Sequence, residues 1–221
     1  TNPDSDQDDV VVDVEPQYPE RDRIVAELVG WLAGDVAPDD VESVLGVSGI
    51  PEPFFTVNEQ AFAEGRPYTV EQTTMLPDRS ETVIEGAAGR HVRLTVEYDG
   101  NEVAAVEIMP VGPEAGTELE NGIGLIDEQL RWLAGEEFTE RDFVRRHSAV
   151  GRDSYGSYAN FVDIVDEIRA SGPYDDVVHR GFTFDGSGIV LLRRADGGLL
   201  MYSARTEDGR ISGATIQTSD G

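Results

Sequence analysis

Side chains able to do nucleophilic, acid–base or metal chemistry are scarce in this sequence. Its imidazoles are His91, His147 and His179; there is no Cys, and every one of the 17 basic residues is Arg. Without Lys there can be no phosphate-loop lysine, no Schiff base and no Ser-x-x-Lys nucleophile. Without Cys there is no disulfide and no thiolate metal site, and three scattered histidines make no ligand set. No cofactor motif is present. Asp4, Asp6, Asp8 and Glu15 fall on several oxygen-ligand positions of a calcium loop, but Asp9 stands where that loop needs Gly, and no helix can precede residue 4. No metal site is therefore predicted. Asp185 opens an Asp-Gly-Ser-Gly run, which reads as a turn.

Two aromatic groups remain, Phe54-Phe55 with Phe62, and Tyr155 with Tyr158 and Phe161. At helical spacing both read first as core. The Gly-rich approach from Gly151 to Gly156 leaves a second reading for Tyr155 and Tyr158, as binding residues with Tyr155 exposed at a pocket mouth.

The formal net charge is −27. Such a surface repels nucleic acid and anionic lipid, which are held by clustered Arg or Lys. The charge reads as a solubility or salt-adaptation feature, with an acidic docking surface as the other possibility. No apolar run reaches the roughly 18 residues needed to span a bilayer. Residues 1–17 are polar, Asp-rich and interrupted by Pro3 and Pro16, and read as a disordered acidic tether. A tether of this kind suits a secreted or lipid-anchored protein outside the cytoplasm, although a cytoplasmic one stays open.

The elements that must carry these residues occur twice. Trp31-Leu32-Ala33-Gly34-Asp35 recurs as Trp132-Leu133-Ala134-Gly135-Glu136, Gly65-Arg66-Pro67-Tyr68 is echoed by Gly172-Pro173-Tyr174, and Asp99-Gly100 by Asp208-Gly209. Within each copy, apolar residues at helical spacing come first: Ile24, Leu28 and Trp31, then Leu119, Ile123, Ile126, Leu130 and Leu133. A short helix follows, over Pro38 to Leu45 and over Thr139 to His147, with Thr139 as N-cap. A third spans Phe54 to Phe62 and Tyr158 to Ile168. Four strands then complete each copy, among them the alternating Val92, Leu94, Val96 and Tyr98 before the Asp99-Gly100-Asn101 turn. The predicted class is α+β, two tandem domains of about three helices on a curved antiparallel four-stranded sheet. Their expected boundaries are 18–110 and 118–221, joined by a linker over 111–117.

Helix, short helix, longer helix and meander resemble the nuclear transport factor 2-like, or cystatin-like, superfamily, whose sheet bends around the first helix into a cone. The second copy is also similar to the N-terminal accessory domain of clavulanate-cluster β-lactamase-like serine hydrolases. That similarity rests on Leu130-Arg131-Trp132-Leu133, Phe138, Arg146-His147-Ser148, Ile164 to Ile168, Gly172-Pro173-Tyr174, and Asp208-Gly209-Arg210-Ile211 with Ile216. The second resemblance implies a non-catalytic binding or accessory module, alone or beside a partner protein, with a small apolar ligand or a protein as its partner; the superfamily often dimerises through its sheets, and here the internal pair satisfies that surface and predicts a monomer. Enzymes of the superfamily imply the alternative, a cyclase, isomerase or dehydratase with an Asp/His pair inside the second cone. Its candidates are Asp185, His179, Tyr202, Arg194 and His147, with the Tyr202 hydroxyl at the cone rim. Against it, the copies share packing and turn residues but no reactive set, and the counterpart of His91 is not a histidine.

Overall fold

A computed structural model describes residues 18–219. The tether and the calcium-loop-like pattern lie outside these residues. The chain is mixed α+β. Its elements run α1 (Pro19–Ala33), α2 (Pro38–Leu45), α3 (Glu52–Ala63), β1 (Thr69–Met75), β2 (Arg79–Glu85), β3 (His91–Asp99) and β4 (Glu102–Val111), then α4 (Thr117–Leu133), α5 (Glu140–Arg146), α6 (Ala149–Asp153), α7 (Tyr158–Ser171), β5 (Tyr174–Phe182), β6 (Gly188–Arg194), β7 (Leu199–Glu207) and β8 (Arg210–Ser219).

Local chemistry accounts for the helix limits. In α1 the buried residues Ile24, Leu28, Trp31 and Leu32 follow the helical period, and Gly34 ends the helix at φ 86°, its N–H donating to the carbonyls of Gly30 and Trp31. Thr139 and Asp142 form a reciprocal capping box at the start of α5. The short α6 was not expected from the sequence. It is capped by Ser148, and it needs Gly151, because a Cβ there would run into the backbone carbonyl of Ile211 on β8.

All eight strands form one sheet in chain order. Neighbours are antiparallel except β4 and β5, which pair in parallel over Val106–His179, Glu107–Arg180 and Ile108–Gly181. A parallel pair needs a long crossover, and α4 to α7 supply it. The sheet is therefore continuous across the middle of the chain.

Two cores form on opposite faces of this sheet. The first packs α1, α2 and α3 on Ile84, Leu94, Val96 and Ile108, and extends onto Val178, Ile189, Leu191, Leu199 and Met201 of β5, β6 and β7. The second packs α4, α5 and α7 on the other face, against Val190, Leu192, Leu200, Tyr202, Ala204 and Ile211. Strands β6 and β7 are thus covered on both sides. This explains why Ile189 to Leu192 and Leu199 to Ala204 are buried without interruption while burial in β3 alternates.

Candidate functional site

The five residues proposed for an acid–base site do not converge. Asp185 accepts hydrogen bonds from the Thr183 hydroxyl and the Ser187 backbone N–H, closing the turn between β5 and β6. Burial pushes its carboxyl up, but these donors outweigh burial and hold it below the usual range. Arg194 pairs with Asp196 at 2.6 Å and donates to the Ser171 carbonyl at 2.8 Å, tying the β6–β7 turn to the end of α7.

His179 faces the first core. The β5 register shifts between Val177 and His179, and a bulge of this kind re-aims the following side chain. The ring lies edge-on to Trp31 at 5.8 Å and to Phe54 at 5.1 Å. Neither ring nitrogen has a hydrogen-bond partner among the described residues, and burial pulls the pKa down to about 3. This histidine is a neutral core residue contributed by one half of the chain to the core of the other.

His147 belongs to the second core, as do Tyr155 and Tyr202. Its Nδ1 meets the Phe143 carbonyl at 2.9 Å while Nε2 is unpartnered. Burial lowers its pKa to about 4, partly opposed by that bond, and the Arg152 charge lowers it further. Tyr155 is buried rather than exposed at a mouth, and Tyr202 is 1% exposed, so its hydroxyl is inside the core and not at a rim. The two hydroxyls are close enough to influence each other, yet neither has a partner in hydrogen-bond geometry; burial raises both pKa values strongly. Half-buried Tyr158 packs its ring near Phe138 and Phe143. Gln129 on α4, missed from the sequence, is 1% exposed with both amide atoms unpartnered. Phe143, Phe161 and Trp132 fill the space in this core.

Open space lies elsewhere. A cleft of about 860 Å³ is lined by Phe62, Val57, Tyr68, Phe184, Ile189 and Ser203, among others, and by none of His147, Tyr155, Tyr202 or Gln129. Its floor is one cross-strand row of the sheet, Gly181–Ile189–Ser203–Thr215, each residue directly opposite the next. The preceding row, His179–Leu191–Met201, is covered by the first core. The helical cover thins where α3 ends at Ala63, and small residues leave the next row bare. A Cβ on Gly181 would already touch Phe62 at 3.5 Å.

The charged groups of the cleft divide cleanly. Arg90 pairs with Glu114 at 3.5 Å and stacks over Phe184. Asp185 is held by its turn. Tyr68, whose hydroxyl donates to the Phe62 carbonyl, has its pKa pushed up to about 12 by burial. Arg205, which projects beside Gly213, has no ion pair or hydrogen bond from its side chain among the described residues. Ser203 is 6% exposed, lines the cleft, and has no hydroxyl partner among the described residues either. Sequence reasoning missed this site because it is made by small side chains. Ser203, Ala204, Gly213 and Ala214 within apolar strands are the signal that marks it.

No group of three or more His, Asp or Glu among the described residues is placed to hold a metal, and no described helix is long and apolar enough to cross a membrane. Compared with known proteins, the chain matches no protein-family model, no curated protein and no solved structure.

Proposed function

We propose that the protein is a non-catalytic binding module, acting alone or beside a partner protein, whose cleft on the floor row takes a small molecule with an apolar body. The observation that carries this reading is the cleft itself. Its volume is within the range of about 300–1,000 Å³ usual for ligand sites. Its walls are largely Val57, Phe62, Tyr68, Phe184 and Ile189, and the hydroxyl–carboxylate pair in its lining, Thr183 with Asp185, is engaged in closing the turn between β5 and β6.

The same reading takes the chain as two tandem nuclear transport factor 2-like domains that share one sheet. Arg66 donates to the Leu32 carbonyl at the end of α1, and Arg169 donates to the Trp132 carbonyl at the end of α4, so the same device closes the leading helix in each half. Trp31 stacks on Phe54, and Trp132 on Phe138. The alternative, an isomerase or cyclase in the second cone, would need Asp185 and His179 in one chamber, whereas one closes a turn and the other faces Trp31.

Fluorescence titration with the neutral reporter N-phenyl-1-naphthylamine tests the binding reading. Saturable enhancement, lost in Ala61→Trp on the cleft wall, is expected. Absence of saturable binding, or binding indifferent to that substitution in a folded variant, removes it.

A further inference from the structure

Beyond a generic apolar ligand, the floor of the cleft specifies a head group. Ser203 and Thr215 face each other across β7 and β8, and Arg205 lies two residues along from Ser203, opposite Gly213. Alternation puts all three side chains on one face of the sheet. A Cβ on Gly213 would come within 3.1 Å of the Arg205 guanidinium, so glycine there leaves the arginine room to lie over the strand.

The donors in this patch are unspent. Most arginines of this chain lie against carboxylates or backbone carbonyls, as 44 acidic residues against 17 arginines make easy. Arg205 shares with Arg93, Arg141 and Arg210 the lack of either kind of partner among the described residues, and of these four it is the one that lines the cleft. Ser203 is 6% exposed, and its hydroxyl, which has no protein partner among the described residues, opens on the cleft where a ligand oxygen can accept from it. Two hydroxyls and a guanidinium on one small area make a donor set for an oxyanion, and the planar fork of Arg suits a two-oxygen acceptor.

The rest of the molecule limits the charge of that acceptor. Glu64 and Glu118 also line the cleft, from α3 and α4 rather than from the floor, and the whole chain carries −27. A second negative charge on the ligand would meet this field with no second free arginine in the lining to offset it, since Arg90 is engaged by Glu114. The apolar walls take the remainder of the molecule.

We infer that the cleft binds a monocarboxylate amphiphile, with the carboxylate on Arg205, Ser203 and Thr215 and the hydrocarbon body along Phe62, Ile189 and Phe184. This inference rests on the binding reading above and adds the head group to it.

Displacement of N-phenyl-1-naphthylamine by dodecanoate, dodecanol, dodecylammonium and dodecyl phosphate, all kept below micelle formation, separates the two. Dodecanoate is expected to bind about tenfold tighter than dodecanol, as one charge-assisted hydrogen-bond set gives after the acidic field is subtracted. The ammonium and the phosphate ester are expected to be weaker than dodecanoate. Arg205→Gln, at an exposed position, should bring dodecanoate to the level of dodecanol. Ser203→Ala should weaken dodecanoate by about threefold. Reporter binding with dodecanol or dodecylammonium equal to dodecanoate, phosphate as tight as carboxylate, or a carboxylate preference that survives Arg205→Gln would overturn the head-group assignment and leave the apolar site standing. A reporter that does not bind would remove both.

Discussion

His179 and Gln129 show what burial does to a polar side chain with no partner. Both histidines of the cores are neutral in the folded chain, with pKa values near 3 for His179 and 4 for His147, against an ordinary value of 6.5. The unfolded chain takes a proton on each as pH falls through 6.5, and the folded chain does so only at the lower values. Their effect on stability is therefore absent above that range and destabilising below it, by up to about 1.4 kcal/mol per pH unit for each histidine. Relief of the −27 self-repulsion acts the other way as carboxylates protonate, so the clean measurement is a difference. Thermal melts of wild type and His179→Leu should diverge in favour of the variant as pH drops from about 7 towards 4; equal acid losses would refute the assignment. Gln129 makes the complementary case. Gln129→Met removes two unpartnered amide atoms while keeping an unbranched shape, and should raise unfolding free energy by about 1–2 kcal/mol in denaturant titrations. A loss of stability would mean the amide is doing something in that core that its surroundings do not reveal.

At the scale of elements, the positions legible in the sequence were those set by local chemistry. Thr139 and Asp142 announce the start of α5, and the structure completes the reciprocal box. Thr139→Ala should cost about 1 kcal/mol, readable as a shift in the denaturation midpoint at unchanged slope. The alternation in β3 and the helical stripe of α1 were equally plain. What local chemistry does not announce is how elements approach one another. Gly122 lies inside α4, where glycine weakens a helix, and the reason is the turn between β5 and β6: a Cβ at Gly122 would enter the backbone of Gly186, itself at φ 80°. Because the obstacle is backbone that cannot rotate away, Gly122→Ala should destabilise by about 1–3 kcal/mol, reversing the usual gain from replacing a helical glycine. Chemical denaturation decides it, and a stabilised variant would show that α4 can slide. The α6 turn escaped notice for the same reason, since Gly151 is explained by the Ile211 carbonyl on another element.

The whole molecule turns on the parallel joint between β4 and β5. Nothing in either strand marks it, because pairing between distant segments leaves no periodic trace, and the candidate site was illegible for a related reason: a cleft is built by what side chains leave empty. The apolar runs of β6 and β7 were the available hint that a second layer covers them. Since the first core is completed by Val178, Ile189, Leu191 and Met201 from the second half, neither half keeps its apolar surface covered when the other unfolds. Burial of each such side chain contributes roughly 1.5–3 kcal/mol, enough in sum to couple the halves. The two tryptophans report on the halves separately, Trp31 in the first core and Trp132 in the second. Trp31→Phe and Trp132→Phe leave one reporter each, and their urea unfolding curves should coincide in midpoint once corrected for the stability each substitution costs by circular dichroism. Two separated midpoints would mean that the halves fold as independent units and that the shared sheet is only a docking surface between them.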